Sequence, residues 1–343
     1  MPNSTMTETA PATGLRKWWA DRAWKTGERL DNMGRWLLLH APAGARLYAR
    51  VLSSRPRRPR VFPGWTFAYK YFIERRWLAL RRGALWEFAL ERNLAVPLVV
   101  RWLAGTRVDV TLGNDNSLCL FVAGSFEPNE FAFLDRALRR DMTFIDVGAN
   151  EGYFALFAAR RVGWRGRVLA VEPSSRERRQ LERNVRRNRL SNVTIVPHAL
   201  GHEAGSGMLR IAAKLHGGHN TLGDFAHKEA STAGTEVVPI ETLDALVERL
   251  AVNRVDVIKI DVEGAELKVL NGARGLLTTM RPVMLIEAND SALRGQGASN
   301  AALLELLRTL RYEVRVFSDR TGEVEPFDED GPLSANIVAL PLP

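Results

Sequence analysis

The sequence contains little cysteine and no long apolar run. Cys119 is the single cysteine in 343 residues, which excludes an internal disulfide and suits a reducing compartment. Because its neighbours are apolar, we expect Cys119 to be a buried structural thiol on a strand rather than a nucleophile. No stretch approaches the roughly 18 apolar residues of a membrane-spanning helix, and the first residues lack the basic and apolar regions of a signal peptide. These absences favour a cytoplasmic protein.

Positive charge and tryptophan are concentrated at one end of the chain. Residues 1–100 contain 18 of the 48 Lys and Arg but 7 of the 39 Asp and Glu, a net charge of +11 that leaves −2 for the remaining residues. Seven of the nine tryptophans lie in the same hundred residues. Arg and Trp interleaved along helical stretches at 15–39 and 69–94 are typical of helices on an anionic membrane surface. Such contact would place the protein at the inner face of the membrane. A helical cap on the core is a compatible alternative.

Composition divides the chain into three parts. The Pro/Arg run in the first part predicts an extended linker at residues 53–64. In the second part, hairpin strands are predicted at 107–112 and 118–122 because the turn-forming sequence Gly-Asn-Asp-Asn lies between them. The expected parts are a basic, Trp-rich, mainly helical region at 1–95, a β-hairpin and helix at 96–140, and a catalytic domain at 141–343.

The segment Phe-Ile-Asp-Val-Gly-Ala-Asn-Glu-Gly at residues 144–152 is the most informative one. It predicts a buried strand that ends near Asp146, a tight turn at Gly148 and Gly152, and a helix after the turn. The spacing Asp-x-Gly-x-x-x-Gly differs from that of pyrophosphate binders, and the acidic group suits a cationic ligand. S-adenosylmethionine fits this preference because its sulfonium and its α-ammonium are both positive.

Other predicted strands end in a similar way. An acid at the carboxyl end of the second core strand is placed to accept hydrogen bonds from ribose hydroxyls. A single acid after a strand is commonly a helix cap, but one acid on each of four strands favours a ligand site. The five strand ends carry Asp146, Glu172, Ala199 with Leu200, Asp261, and Glu287.

Four ordered motifs resemble the FkbM family of S-adenosylmethionine-dependent methyltransferases. The resemblance covers about residues 121–340 and implies an α/β class I methyltransferase (Rossmann-like) fold. In that fold a mostly parallel seven-stranded sheet carries helices on both faces, and strands predicted at 312–317 and 336–340 fit its antiparallel end. The motifs are Asp146–Gly152, Glu172–Pro173, Ile258–Glu266 and Val269–Ala273.

The strand-end pattern and the resemblance together give the expected site residues. Asp261 is the first choice for the general base, with Glu263, Glu287 and His219 as alternates. Asp261 orienting the cofactor ammonium while His219 takes the proton is equally open. No metal site is predicted, because His216 and His219 lack a clear set of further ligands. The expected cofactor-binding residues are Asp146, Gly148, Asn150, Gly152, Tyr153, Glu172, Pro173, Ser174, Ala199, Leu200 and Asp261.

Three functions follow from these expectations. The resemblance favours O-methylation of a hydroxyl on a glycan or secondary metabolite, with residues 294–297 as a glycine loop lining the acceptor site. A nucleic-acid methyltransferase is the first alternative, but the basic charge lies outside the catalytic part, so nucleic acid is the less favoured partner. A non-catalytic scaffold that binds S-adenosylmethionine is the second alternative, and the intact acidic strand ends disfavour it.

Overall fold

The computed structural model describes residues 14–53, 55–64, 76–212, 220–223, 232–329 and 331–343. Within these ranges, each helix is too short or too polar to span a bilayer. The helices are α1 (Gly14–His40), α2 (Pro42–Leu52), α3 (Arg76–Glu91), α4 (Asp115–Ser117), α5 (Pro128–Ala137), α6 (Tyr153–Val162), α7 (Ser175–Asn188), α8 (Leu243–Arg249), α9 (Glu266–Asn271), α10 (Arg274–Thr279), α11 (Asp290–Gly295) and α12 (Asn300–Thr309). The strands are β1 (Val96–Arg101), β2 (Arg107–Leu112), β3 (Thr143–Val147), β4 (Arg167–Val171), β5 (Val193–Val196), β6 (Ala199–Leu200), β7 (Gly205–Ala212), β8 (Thr232–Glu241), β9 (Val257–Ile260), β10 (Val283–Glu287), β11 (Tyr312–Phe317), β12 (Val324–Pro326) and β13 (Asn336–Pro341).

The central sheet has eight strands in the order β12-β11-β13-β10-β9-β3-β4-β5. Strands β5, β4, β3, β9 and β10 are parallel, and β13 pairs antiparallel with both β10 and β11. The chain runs outward from β3 to β5 and then returns to β9 on the other side of β3, which creates a topological switch point. This confirms the class I methyltransferase fold. The predicted seven strands are all present, and the short edge strand β12 is additional.

Apolar side chains cover both faces of this sheet. One buried cluster includes Phe144 and Val168 with residues of α6, and another includes Ile145 and Ile258 with residues of α10 and α12. Alternate residues of one strand therefore point to opposite faces, as the strand period of two requires. Strands buried on both faces explain the continuous apolar runs in the sequence.

The predicted hairpin is wrong in one strand. β2 pairs antiparallel with β1 instead, and residues Leu118–Ala123 form a helical segment that is buried from Cys119 onward. Asn114 caps α4, which leads directly into this segment, because its side chain accepts a hydrogen bond from Ser117 N at 2.9 Å. A short apolar run buried on all sides does not distinguish strand from helix by its pattern. Cys119 is buried as expected, but it lies on this helix rather than on a strand.

A second, three-stranded sheet in the order β6-β8-β7 was not predicted. Its long antiparallel hairpin β7/β8 is inserted between β5 and β9. The predicted loop residues His216 and His219 fall between these strands and lie outside the described residues.

The N-terminal helices share the core of the methyltransferase part. Leu38, Leu52 and Leu85 belong to the same buried cluster as Phe131 of α5. Arg82 is fully buried, and its Nε and Nη1 donate hydrogen bonds to Val122 O at 2.9 Å and Leu52 O at 3.1 Å. These contacts join α2 and α3 to the 118–123 helix. The described part of the N-terminal region therefore packs as a cap.

Candidate active site

The glycine turn after β3 brings the ends of three strands together. Gly148 has a φ of 78°, and a Cβ built on it would lie 1.8 Å from the carbonyl oxygen of Asp261. Gly152 has a φ of 93°, and its Cβ would lie 2.3 Å from Leu181 Cδ1. Both positions therefore require glycine, for conformation and for space. Gly148 N also donates to Val171 O at 3.0 Å, which fixes the turn against the end of β4.

Glu172 lies at the carboxyl end of β4, where the sequence placed it. It is 5% exposed, and its Oε2 and Oε1 accept hydrogen bonds from Asn150 N and Ser174 N, each at 2.8 Å. Burial and the charge of Glu177 raise the pKa of Glu172 to about 8. The two backbone donors hold the carboxyl group in one orientation, and each oxygen keeps a lone pair for a ligand.

Lys259 lies between two predicted site residues, Asp146 and Asp261. Its Nζ is 2.8 Å from Asp261 Oδ2, 3.9 Å from Asp146 Oδ1 and 4.8 Å from the ring centre of Phe154. Burial lowers the pKa of Lys259, but the carboxylates of Asp261 and Asp146 outweigh that effect and raise it. Lys259 was not among the predicted site residues, although a lysine inside an otherwise apolar buried strand indicates an acidic partner for its charge.

Asp146 is the most buried acid of the site. It is fully inaccessible, and its charged partner is Lys259, whose Nζ lies 3.9 Å from Asp146 Oδ1. Burial raises its pKa to about 6, against the lowering effects of Lys259 and of the backbone of Ala155. A buried carboxylate held by so few partners is costly unless it serves a ligand or a charge network.

Three further carboxylates meet beside Lys259, at the ends of β9 and β10. Oxygen atoms of Asp261, Glu263 and Glu287 lie within 4.8 Å of one another. Burial and then the charges of Asp261 and Glu263 raise the pKa of Glu287 well above its usual range. Their spacing would allow one cation to contact all three, since oxygen ligands surround hard divalent cations in this way. The sequence assigned these residues to acid–base chemistry and predicted no metal site.

The cleft at the strand ends contains most, but not all, of the predicted residues. Asp146, Gly152, Tyr153, Ser174 and Glu287 do not line it. Tyr153 instead donates from its hydroxyl to Glu151 Oε2 at 2.6 Å, and burial raises the pKa of Glu151 to about 7. The residues that line the cleft are Val147, Gly148, Asn150, Val171, Glu172, Pro173, His198, Ala199, Leu200, Leu209, Asn220, Leu222, Asp261, Val262, Glu263 and Ala265.

The loop after β10 closes one side of this cleft. Gln296 Nε2 donates to Thr221 Oγ1 at 3.1 Å, and Thr221 Oγ1 donates to Glu263 O at 3.1 Å. Gln296 Oε1 accepts from Lys268 Nζ at 2.8 Å. The predicted acceptor loop at 294–297 is thereby linked to the β7/β8 insertion. Thr221 and Asn220 were missed because the insertion itself was not recognised as a hairpin.

Comparison with known proteins agrees with the fold and the motifs. The methyltransferase FkbM domain matches residues 146–314. The chain is 26% identical over 213 residues to AMB antimetabolite synthetase AmbE of Pseudomonas aeruginosa, a match covering 52% of this chain and 10% of that protein. It is 26% identical over 211 residues to hexuronic acid methyltransferase AglP of Haloferax volcanii, covering 62% of this chain and 79% of that one.

Among solved structures, methyltransferase FkbM from Methylobacillus flagellatus aligns with 79% of this chain and 56% of its own, at 16% identity and a TM-score of 0.37. The domain match contains Asp146, Glu172, Lys259, Asp261 and Glu287, which are the charged residues of the site described above. Residues 146–314 therefore carry a methyltransferase FkbM domain, the family that the sequence motifs resemble, and the chain spans 10% of AmbE and 56% of the solved FkbM chain.

Proposed function

We propose that the protein transfers a methyl group from S-adenosylmethionine to a hydroxyl oxygen of a glycan or secondary metabolite. The observation that carries this proposal is the excess of carboxylates over cations at the strand ends. Asp146 and Asp261 pair with one buried ammonium, that of Lys259, and Glu263 and Glu287 cluster with Asp261. A cationic ligand would offset this excess negative charge, and the sulfonium donor carries two positive groups.

The described residues fit the cofactor in a specific arrangement. Glu172 would accept hydrogen bonds from the two ribose hydroxyls through its remaining lone pairs. Asp261 would contact the ammonium of the amino-acid end, and Asp146, which does not line the cleft, would add its negative charge from beside Lys259. Ala199 and Leu200 offer backbone groups and apolar surface to the adenine, next to His198 in the cleft.

A base must accept the hydroxyl proton when the new carbon–oxygen bond forms. The cofactor supplies an electrophilic methyl group, and its carbon–sulfur bond breaks in line with the attacking oxygen. Among the three clustered acids, we favour Glu287 over Asp261 as the base. Asp261 Oδ2 is held by Lys259, whereas Glu287 Oε2 has no hydrogen-bond partner among the described residues and so remains available to accept a proton.

The acceptor class is supported by the chemistry of the site and by one relative. AglP is named as a hexuronic acid methyltransferase, and its match covers most of its own length. A glycan hydroxyl also suits an enclosure built from Gln296, Thr221 and Asn220, whose amide and hydroxyl groups pair well with sugar hydroxyls.

Contact with an anionic membrane is a further part of this proposal. Trp36, Leu47 and Val51 are 56%, 64% and 70% exposed on α1 and α2, and Arg46 and Arg50 lie next to them in sequence. Exposed apolar residues interleaved with arginine are expected of helices that rest on a lipid surface. Buried residues of the same helices pack on the core, so a cap and a membrane-facing surface coexist.

Methyl transfer from radiolabelled S-adenosylmethionine to a panel of glycans and hydroxylated metabolites tests this function. We expect Glu287→Gln to reduce kcat by a factor on the order of 10² or more, while the dissociation constant for S-adenosylhomocysteine stays within a few fold. Glu248→Gln, a change in an exposed carboxylate on α8, is the matched control and should keep full activity.

Two results would redirect the proposal. Loss of turnover in Asp261→Asn with normal turnover in Glu287→Gln would move the base to Asp261. Loss of turnover on EDTA treatment, restored by Mg²⁺, would instead assign Asp261, Glu263 and Glu287 to a metal.

A further inference from the structure

Three neighbouring cavities outside the cofactor cleft are lined by arginine and by no acidic residue. Their volumes are about 390, 270 and 460 Å³. Arg55 lines all three, and Arg101 and Arg107 line the first two, so the cavities are contiguous. We call them together the arginine groove. The first of the three carries the side chains of Arg46, Arg50, Arg55, Arg101, Arg107 and Arg187.

Most of these guanidinium groups have no carboxylate partner in the described residues. Arg187 pairs with Asp109, from Nε to Oδ1 at 2.7 Å, but no acid lies within ion-pair distance of Arg46, Arg50, Arg101 or Arg107 there. By contrast, the exposed Arg308 and Arg136 pair with Glu329 and Glu323. A concave surface with several unpaired guanidinium groups is a site for a multiply charged anion.

The groove is held in shape by hydrogen bonds to its backbone. Asn188 of α7 brackets Arg107, since its Oδ1 accepts from Arg107 N at 2.8 Å and its Nδ2 donates to Arg107 O at 2.7 Å. The Pro/Arg segment is fixed at two points: Arg57 O accepts from Ala104 N at 3.2 Å, and Phe62 N donates to Asn129 Oδ1 at 2.7 Å. The sequence predicted a linker at residues 53–64, whereas the Pro/Arg segment within it forms one wall of the groove.

One end of the groove approaches the cofactor site. The largest cavity is lined by Gly124, Ser125, Phe126 and Pro128 as well as by the arginines of the Pro/Arg segment. The ring of Phe126 lies 6.3 Å from that of Phe154, which in turn lies 4.8 Å from Lys259 Nζ. Glu127, between Phe126 and Pro128, is close enough to Asp261 for the charge of Asp261 to raise its pKa, after burial and Glu130. The contacts of Phe126 and Phe154 therefore link the wall of this cavity to Lys259.

We propose that the arginine groove binds a phosphate or diphosphate group of the acceptor, while the hydroxyl-bearing unit of the acceptor reaches the cofactor cleft. This inference rests on the proposed function and specifies its substrate class. The planar guanidinium fork matches phosphate oxygens in two-point contacts. The cavity with Arg46, Arg50 and Arg187 has no aromatic side chain on which a nucleic-acid base could stack, and the aromatic residues of the groove, Trp102, Phe62 and Phe126, line its other two cavities.

Binding of inorganic pyrophosphate to the full-length protein saturated with S-adenosylhomocysteine tests the groove. We expect saturable binding by calorimetry in 150 mM NaCl, and Arg101→Gln/Arg107→Gln to weaken it by about tenfold or more. Arg46→Gln/Arg50→Gln, on an exposed face of α2, should weaken it too without risk to the fold. Arg183→Gln is the control, because it lies on α7 with Arg187, is exposed and does not line the groove.

Several outcomes would overturn the inference while leaving the proposed function intact. One is normal binding of S-adenosylhomocysteine by the wild type without saturable binding of pyrophosphate. Another is that the groove variants bind pyrophosphate as tightly as Arg183→Gln does. Loss of binding to RNA or to anionic vesicles in the groove variants, with no pyrophosphate binding by the wild type, would assign the arginines to those partners instead. If the wild type does not bind S-adenosylhomocysteine, the proposed function is refuted, and the pyrophosphate measurement still decides whether the groove binds an anion.

Methyl transfer to matched acceptors tests the link to the substrate. Monosaccharides, their 1-phosphates and their nucleoside diphosphate derivatives are compared at equal concentration. We expect turnover to require the phosphate-bearing form, and Arg101→Gln/Arg107→Gln to raise KM for it by about tenfold or more with kcat nearly unchanged. Equal kcat/KM for a sugar with and without phosphate would contradict the inference.

Discussion

The strand-end site and the arginine groove carry charges of opposite sign, and they also differ in the burial of their charged groups. At the strand ends Asp146 and Glu172 are buried, backbone donors hold Glu172, Lys259 lies beside Asp146, and burial raises the pKa of both acids. In the groove the guanidinium groups are exposed, and only the backbone beneath them is fixed. The ionisation of buried groups depends strongly on pH, whereas the interactions of exposed charges are screened by salt. The two regions should therefore be separable by experiment.

The largest expected effect comes from the turn that builds the strand-end site. Gly148→Ala would place a Cβ 1.8 Å from the carbonyl oxygen of Asp261, in a backbone conformation that disfavours side chains. We expect binding of S-adenosylhomocysteine to fall below detection in a thermal-shift assay. Gly205→Ala is the control, since a Cβ there meets no atom within 4 Å. Normal binding by Gly148→Ala would show that the turn does not shape the site.

Loss of the central cation should have the next largest effect. Lys259→Met leaves Asp146 and Asp261 without their shared partner, which we expect to lower the free energy of unfolding by about 3–5 kcal/mol near pH 8. The pKa of Asp146 is raised to about 6 in the folded protein, above the value for an unfolded chain, so ionising this acid costs stability as the pH rises. The destabilisation should accordingly be smaller at pH 5, where Asp146 is protonated.

Urea unfolding of Lys259→Met at the two pH values makes this measurement. Lys268→Met is the control, because its Nζ contacts the neutral amide of Gln296 at 2.8 Å. An equal loss of stability at both pH values would mean that packing, not charge, accounts for the role of Lys259.

Cofactor affinity should depend on pH through Glu172. Its pKa is raised to about 8, so the carboxyl group is mostly protonated at pH 6. Ribose hydroxyls donate to the ionised form, and binding must release that proton. We therefore expect affinity for S-adenosylhomocysteine to rise from pH 6 to pH 8, by at most about tenfold per pH unit, and then to level off.

Calorimetric titration across this pH range checks the role of Glu172. Glu172→Gln should bind more weakly and lose most of the pH dependence. If the pH dependence persists unchanged in Glu172→Gln, another group is responsible, and Glu172 does not accept from the ribose.

The smallest expected effect concerns the exposed apolar residues of α1 and α2. Leu47→Ser/Val51→Ser should reduce co-sedimentation with vesicles containing phosphatidylserine by a few fold, since the arginines still attract the anionic surface. Salt should weaken the remaining association. Val237→Ser, in a 70% exposed position on β8, is the control. If the wild type, Leu47→Ser/Val51→Ser and Val237→Ser pellet equally with the vesicles, Leu47 and Val51 do not contact the membrane, and the helices serve to pack on the core.

The two regions also differ in how far the sequence predicted them. Gly148, Glu172, Asp261 and Glu287 follow strand patterns directly, because a local run of apolar residues ends at each of them. Lys259 was missed because it lies inside such a run and its partners come from another strand. The short run after Asn114 was assigned to a strand because burial on all sides removes the periodicity that distinguishes a helix.

The arginine groove could not be predicted in the same way. Arg46, Arg107 and Arg187 come from α2, β2 and α7, and only the packing of these elements places them in one cavity. The sequence showed an excess of positive charge at one end of the chain, but not that part of it faces a concave surface next to the cofactor site. Long-range packing of this kind leaves no local pattern in a single sequence.

The most direct test measures the binding of two ligands to variants of each of the two sites. Dissociation constants for S-adenosylhomocysteine and for pyrophosphate are measured by calorimetry at pH 8 for the wild type, Glu172→Gln and Arg101→Gln/Arg107→Gln. We predict that Glu172→Gln weakens only S-adenosylhomocysteine and that the arginine pair weakens only pyrophosphate, each by about tenfold or more. Loss of both ligands in either variant, or of neither in both, would contradict the assignment of a cationic cofactor to the acidic strand ends and an anionic acceptor group to the groove.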